Sequence, residues 1–290
     1  MKFGLVPINI GVTDADALIE LAVRAEAAGY ESLWTFEHVI VPIDYQSKYP
    51  YSNSGKMGAD PETPFIDPLI ALTLIAGHTH KIRLATGVNI LSQANPLYLA
   101  KQAASIDVLS SGRLELGLGI GWLREEFAAM GVPFERRGAR FDDYVQAMRK
   151  VWSGEVVEHS SDFIDWSGFK SYPLPQQTRG DAPSVPIVMG GNKGRIFKRT
   201  AALGDGWFAP SPKPEEIASA RVELARECEA LGRDVNEIEI TCMWPGRGGR
   251  EAIDAFAAAG VSRLVVPLQA LGASPVEGLE QLADEIIEAA

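Results

Sequence analysis

Short apolar runs alternate with helical stretches along the whole of the chain. The runs are rich in valine, isoleucine and leucine at successive positions, which favours strands of a parallel sheet that is buried on both faces. The stretches between them space their apolar residues as one face of an α-helix requires. Together they predict eight strand–helix units. The predicted strands are 2–9, 32–36, 83–90, 114–120, 186–189, 206–209, 238–243 and 263–268.

The predicted helices carry residues that favour the start and the end of a helix. Thr13 is in place to cap the first helix, and Gly29 follows its last turn, where a left-handed residue is favoured. Asp67 and Pro68 open the second helix. The predicted helices are 14–28, 67–78, 96–109, 125–130, 140–152, 194–203, 215–231, 250–259 and 276–288.

This order of elements predicts the fold class. Eight strand–helix units in 290 residues, without a linker or an internal repeat, favour a single-domain (β/α)₈ TIM barrel over an open doubly wound α/β sheet. Two segments lack periodicity. Residues 39–65 are predicted to form an active-site lid, because so long a loop in a compact domain is usually functional. Residues 155–183 are predicted to be an insertion with a short hairpin around 165–168.

Composition and charge narrow the function classes. The chain is 46% hydrophobic and 22% charged, as soluble globular proteins are. The net charge of −11 disfavours nucleic acids and anionic membranes as partners. Two cysteines give no disulfide framework, and the first residues resemble a strand rather than a signal peptide. No apolar stretch reaches the ~20 residues of a membrane span. We expect a cytoplasmic protein that acts on a small molecule.

In a barrel of this kind, the loops after the strands carry the chemistry. Glu37 and His38 follow the second predicted strand. A histidine titrates near neutral pH, so His38 beside a carboxylate suits proton transfer; the alternative is a histidine that only packs. The Glu37–His38 pair lacks further ligands at metal-site spacing, and we therefore expect no metal.

Gly190-Gly191-Asn192 precedes a predicted helix and is a candidate anion site. Glycines let backbone amides approach an oxyanion, and the amino end of a helix adds positive potential. Lys193 and Arg195 would add charge. The alternative is an ordinary turn, and phosphate sites of barrels more commonly follow strands 7 and 8 than strand 5.

The run Gly117-Leu118-Gly119-Ile120-Gly121 lacks the spacing of a dinucleotide-binding fingerprint. We predict instead that these glycines thin the strand, so that a flat ring can lie against it. Trp122 follows the run and could stack on such a ring or pack at the barrel rim.

Aromatic residues in the loops suggest an apolar substrate pocket; the alternative is that they anchor their loops. The candidates are Tyr45, Tyr49, Tyr51 and Trp244. By contrast, Arg113 ends a Ser-Ser-Gly-Arg turn that enters a strand, and we interpret it as structural.

Several motifs together resemble the luciferase-like superfamily and, within it, the oxidoreductases that depend on the deazaflavin coenzyme F420. The resemblance covers most of residues 1–210. It is carried by FEH at 36–38, by ATGVNIL, SGRLELGLGIGW and FERRGARFDDY, and by PIVMGG and AALGDGW.

The resemblance implies a (β/α)₈ barrel, commonly a homodimer, that binds F420 or, alternatively, FMN. It implies a bulge with a cis peptide bond at Gly87–Val88 that presses on the coenzyme ring. It also places Glu37 and His38 at the reacting site and the coenzyme phosphate at Gly190 and Gly191. The residues predicted to bind the coenzyme are Thr86, Gly87, Val88, Asn89, Gly119, Gly121, Trp122, Gly190, Gly191, Asn192 and Arg195.

Two departures affect the expected reaction. Related sugar-phosphate dehydrogenases have Asp-His where this chain has Glu37-His38, and a catalytic glutamate where it has Trp122. We therefore predict hydride transfer between F420 and a small, less polar organic substrate, with His38 polarised by Glu37. The alternatives are a two-component monooxygenase that uses reduced FMN, a flavin-binding protein without catalysis, and a Schiff-base lyase that uses Lys193.

Overall fold

Parallel strand pairing runs without a break around the barrel. The structure, a computed structural model, describes residues 1–210 and 213–287. The barrel strands are β1 (Lys2–Val6), β2 (Ser32–Thr35), β3 (Arg83–Thr86), β4 (Leu114–Gly119), β5 (Ile187–Gly190), β6 (Gly206–Ala209), β7 (Glu239–Met243) and β8 (Arg263–Pro267). They pair in the order β5-β6-β7-β8-β1-β2-β3-β4, and β4 pairs with β5 to close the barrel. The predicted TIM barrel is confirmed.

Helices surround the barrel. They are α1 (Ala15–Ala27), α2 (Pro68–Ala76), α3 (Pro96–Leu109), α4 (Arg124–Ala129), α5 (Arg137–Val151), α6 (Ile196–Leu203), α7 (Pro214–Glu229), α8 (Gly249–Ala258) and α9 (Pro275–Ile286). The prediction that Thr13 caps α1 is wrong. Asp14 caps it, because its extended backbone lets the carboxylate accept a hydrogen bond from the amide of Ala17. The predicted end of the last helix, Glu288, lies outside the described residues.

Strand alternation divides the side chains between two cores. Outward residues such as Leu33 and Leu116 pack against the helices in one large cluster. The inward residues of the central layer form a second, smaller cluster inside the barrel. That layer consists of Val6, Trp34, Ala85, Val188, Phe208 and Val265.

The amino end of the barrel is filled by charged side chains rather than apolar ones. Arg263 is fully buried there and forms ion pairs with Glu31, Glu115 and Glu239. Arg83 also pairs with Glu115. The positive and negative groups satisfy one another, so this layer seals the end of the barrel that lies opposite the candidate site.

The 155–183 insertion begins at the same end, because it follows α5. Its hairpin pairs Val157–Ser160 with Asp165–Phe169, so the predicted 165–168 hairpin is present with that stretch as its second strand. The amide nitrogen of the Gln177 side chain donates to Asp107 and to the carbonyl of Leu114 at the start of β4. The insertion therefore supports the start of β4, and the tip of its hairpin reaches the start of α5, where Asp162 pairs with Arg136.

Arg113 has the structural role that the sequence predicts. Its guanidinium is buried and donates to carbonyls of Ala76, Thr79 and Ile82, which ties the end of α2 to the start of β4. Within residues 1–210 and 213–287, none of the helices has the length and apolar character to cross a membrane.

Candidate active site

A bulge after β3 occupies the mouth of the barrel. The Gly87–Val88 peptide bond is cis, as the resemblance implies. Beyond it, Asn89 and Ile90 pair with the end of β4. Thr86 anchors the bulge because its hydroxyl donates to the carbonyl of Gly117 at 2.7 Å. The four residues from Thr86 to Asn89 therefore form one element held between β3 and β4.

The side chain of Val88 fills the space that three strand glycines leave. A Cβ at Gly119 would lie 2.6 Å from Val88 Cγ2, and one at Gly190 would lie 2.6 Å from Val88 Cγ1. A Cβ at Gly117 would lie 1.7 Å from the carbonyl oxygen of Thr86. The prediction that the glycines make room for a ring is wrong, because the bulge itself takes that room. A coenzyme would meet Val88 rather than the bare strand.

We expect Gly119→Ala to destabilise the protein by about 1–3 kcal/mol, because the new methyl group overlaps Val88 in a packed interior. Urea unfolding measures this loss. The same substitution should cost much less in a Val88→Ala background, where the colliding methyl is absent. Gly58→Ala is the matched control, since no atom lies near its Cβ position. If Gly119→Ala lowers the free energy of unfolding equally in both backgrounds, the close packing of Val88 against Gly119 is not the cause.

Glu37 lies beneath the bulge and holds it. Its carboxylate accepts hydrogen bonds from the side-chain amide of Asn89, at 2.7 Å, and from the backbone amide of Ile90. Burial raises the pKa of Glu37 to about 7, and the nearby charges of Glu126 and Asp67 add to the rise while the two hydrogen bonds oppose it. This carboxyl positions the bulge residues and does not contact His38 through a hydrogen bond.

The raised pKa of Glu37 predicts a pH-dependent stability. Below pH 4.5 the carboxyl is protonated in both the folded and the unfolded chain, and up to about pH 7 only the folded chain keeps the proton. Stability contributed by this group is therefore lost as the pH rises through about 7, with a slope of at most about 1.4 kcal/mol per pH unit.

Glu37→Gln should flatten this dependence, as urea unfolding on both sides of the interval will show. Glu62→Gln, in an exposed position of the same chain segment, is the control and should keep the wild-type slope. A wild-type slope in Glu37→Gln would rule out the assignment of the titration to Glu37.

The carboxylate partner of His38 is Glu126, so the prediction that Glu37 polarises His38 is wrong. His38 Nδ1 lies 3.0 Å from Glu126 Oε2, and the Glu126 side chain is only 2% exposed. The other oxygen of Glu126 accepts the backbone amide of Val39 at 2.7 Å. With Nδ1 held by a carboxylate, Nε2 is the nitrogen left for a substrate. The sequence gives no sign that Glu126 is this partner, because the two residues are far apart in the chain and only the fold brings them together.

The β2–α2 loop (residues 39–65) lies against α4. Glu125 Oε1 accepts the backbone amides of Gln46 and Ser47, and the amide of Arg124 donates to the Ser47 hydroxyl. Together with the Glu126–Val39 bond, these contacts fix the first half of the loop over the end of β4.

Trp122 is the centre of a cluster of rings beneath this loop. We call this cluster the aromatic wall; it consists of Tyr45, Tyr49, Tyr51 and Trp122. Its ring meets His38, Tyr45 and Tyr49 edge-on at centroid distances of 6.1, 5.8 and 5.1 Å. Tyr49 in turn meets Tyr51 at 5.4 Å. Tyr45 also anchors the loop, because it is buried and its hydroxyl accepts the amide of Met57. The wall therefore extends from His38 to the tip of the loop.

Trp244 does not belong to this wall, and its prediction as a pocket residue is wrong. Strand alternation turns Met243 toward the barrel interior and Trp244 toward the helices. Trp244 is 2% exposed, packs against Phe3 and donates to the carbonyl of Arg247.

The Gly190–Gly191 turn is braced by β6. The amide of Gly191 donates to the carbonyl of Phe208, and its own carbonyl accepts Nε1 of Trp207 at 2.6 Å. The Gly191 amide is therefore not free for an anion, contrary to the sequence-based expectation. The bracing role of Trp207, from the GDGW motif, was also missed.

The residues that follow this turn remain exposed. Asn192, Lys193 and Arg195 precede α6, whose first turn has no side-chain cap. Their backbone amides and charges are where an anion would be bound. Asn192 and Lys193 also line a cavity of about 470 Å³ against α7, whose glutamates face it. Lys193 thus borders acidic side chains: Glu215, Glu216 and Glu223.

The closed barrel defines a TIM-barrel protein, and the bulged third strand and the histidine–glutamate pair at its mouth form a candidate ligand site at the carboxyl ends of the strands. The family model of the luciferase-like monooxygenases matches residues 5–245, and the chain belongs to that family.

Related proteins include F420-dependent oxidoreductases. An uncharacterized protein of Mycobacterium tuberculosis is 32% identical over 253 residues, which cover 87% of this chain and 82% of that protein. The F420-dependent glucose-6-phosphate dehydrogenase of Amycolatopsis mediterranei is 27% identical over 284 residues, covering 93% of this chain and 77% of that protein. The F420-dependent tetrahydromethanopterin reductase of Methanopyrus kandleri has a TM-score of 0.77 at 17% identity, covering 99% of each chain, which shows the same fold.

Proposed function

We propose that the chain is an oxidoreductase that transfers a hydride between coenzyme F420 and a small organic substrate. The observation that carries the proposal is the Val88 bulge at the barrel mouth, beside the His38–Glu126 pair. Family membership and the F420-dependent relatives support the choice of coenzyme. The proposal includes a homodimer, which the resemblance implies, and a cytoplasmic location, for which the cysteine content and the composition argue.

The residues at the mouth fit a coenzyme of this shape. Val88 offers an apolar surface in the middle of the mouth, and Trp122 stands at its side. The oxygen of the Asn89 side chain is buried and has no partner among the described residues, so it is available to a donor on the ring. The exposed amides after Gly191, with Arg195, would hold the phosphate. When bound, F420 supplies the carbon that gives or takes the hydride.

In this proposal, the side chains around the coenzyme have separate roles. Glu37 fixes the bulge through Asn89 and Ile90. Glu126 keeps the proton of His38 on Nδ1 and stabilises the imidazolium when Nε2 takes a proton from a substrate hydroxyl, or gives one to a substrate carbonyl. The β2–α2 loop and Trp122 exclude water from this exchange.

The wall also indicates the polarity of the substrate. Phe65 and Trp122 meet the ring of His38 edge-on, and Tyr49 packs on Trp122. Lys56, a cation of the same loop, is engaged with the ring and the carbonyl of Tyr45. The site therefore suits an uncharged alcohol or carbonyl compound with an apolar body better than a sugar phosphate.

The test is to purify the protein from a host that makes both F420 and FMN and to record the absorbance of the bound coenzyme. We expect F420, and we expect its absorbance to change on addition of apolar alcohols or ketones. Bound FMN with oxygen uptake on reduction would favour the monooxygenase alternative. A bound coenzyme that no substrate or electron donor turns over would favour a binding protein, and an adduct trapped on Lys193 by borohydride would favour the lyase.

A further inference from the structure

The tip of the β2–α2 loop reaches the Gly190–Gly191 turn. The hydroxyl of Tyr51 lies 3.6 Å from the position that a Cβ would take at Gly191. No hydrogen bond to this hydroxyl is formed within residues 1–210 and 213–287, although the Tyr51 side chain packs on Tyr49. The hydroxyl of Tyr51 is thus brought across the barrel mouth to the turn that precedes residues 192–195, where the phosphate is proposed to bind.

The chemistry of this hydroxyl suits an anion. Partial burial and the neighbouring Tyr49 raise the pKa of Tyr51 to about 12, so the phenol keeps its proton at neutral pH and can donate it. A phenolate would instead repel a phosphate. The neighbouring exposed residue Arg195 adds positive charge at the same turn.

We propose that Tyr51 is a binding residue for the coenzyme phosphate, which it reaches from the β2–α2 loop. The proposal rests on the proposed function, since it takes the phosphate to lie just beyond the Gly190–Gly191 turn, at the exposed residues 192–195. A hydrogen bond from the loop to the ligand would fasten the aromatic wall of Tyr49 and Trp122 over the bound coenzyme. Binding of the phosphate would then also hold the loop closed over the reacting site.

The test compares two ligands, F420 and its deazariboflavin core, which lacks the phosphate and everything attached beyond it. Tyr51→Phe should weaken the binding of F420 by about tenfold or more, as the loss of a hydrogen bond to a charged group does, and should leave the affinity for the core unchanged. Tyr98→Phe, on an exposed tyrosine of α3, is the matched control and should change neither affinity.

A second readout follows the loop directly. Lys48 and Lys56 are exposed trypsin sites on either side of Tyr51. F420 should protect them in the wild-type protein but not in Tyr51→Phe, and the core should protect them in neither.

The outcomes separate the two proposals. If the wild-type protein prefers F420 to the core and Tyr51→Phe keeps that preference, the role of Tyr51 is overturned while the phosphate site stands. If the wild-type protein binds both ligands equally well, or binds neither, the phosphate site and the role of Tyr51 fail together.

Discussion

Replacing His38 with alanine is expected to lower the rate of hydride transfer by about 10²- to 10⁴-fold, the usual contribution of a positioned acid or base. The affinity for F420 should change little. The reason is geometric: His38 is held by Glu126 on one nitrogen and faces the aromatic wall, whereas the residues proposed to hold the coenzyme lie on the bulge and beyond β5.

Single-turnover absorbance measurements give the rate, and titration of the coenzyme gives the affinity. His78→Ala is the control, because that histidine is exposed just after α2 and its ring bonds the carbonyl of Leu74. Glu126→Gln should slow the transfer less than His38→Ala does, since an amide oxygen can still accept from Val39 while the charge is lost. An unchanged rate in His38→Ala would remove this residue from the reaction.

The second large effect concerns stability. Arg263→Met is expected to lower the free energy of unfolding by about 3–5 kcal/mol. The substitution leaves Glu115 buried at the amino end of the barrel with only Arg83 to neutralise it. It also removes the shared donor to Glu31 and Glu239. The loss reflects an uncompensated buried charge rather than a smaller apolar core.

Denaturant unfolding, followed by circular dichroism, measures this loss. Arg226→Met is the control, because Arg226 is exposed on α7 and its contact with Glu227 is long, at 3.9 Å. A double variant, Arg263→Met with Glu115→Gln, should recover part of the stability. If the double variant is less stable than Arg263→Met alone, the explanation through Glu115 is wrong.

The periodicity of the sequence was enough to predict the barrel. The strands of a barrel are buried on both faces, and each surrounding helix is buried on one face. The apolar residues therefore recur at regular spacings, from which the order and approximate bounds of the elements can be predicted. The residue that caps a helix is harder to predict, as α1 shows: Asp14 is the cap, whereas the sequence suggests Thr13. Both residue types can cap a helix, and only the backbone geometry decides between them.

The candidate site was harder to predict because its contacts join distant parts of the chain. His38 and Glu126 are 88 residues apart, and no spacing rule links them. Gly119 and Gly190 leave the room that Val88 occupies, and Val88 comes from the bulge after β3. Trp244 was misplaced because a one-residue shift along a strand moves a side chain from the interior to the helix layer. Sequence identifies the loops that bear the chemistry, but packing decides which side chains meet.

Two adjacent glutamates on α4 offer separate means of engineering this protein. Glu126 bonds both His38 and the start of the β2–α2 loop, so we expect its substitution to alter the proposed proton transfer and access to the site at once. Within the part of the chain that the structure describes, the Glu125 carboxylate bonds the loop at Gln46 and Ser47 and forms no hydrogen bond to His38. We therefore expect variation at Glu125 to change how quickly product leaves while the proposed proton-transfer pair stays intact, which makes this position the starting point for adapting the protein to bulkier compounds.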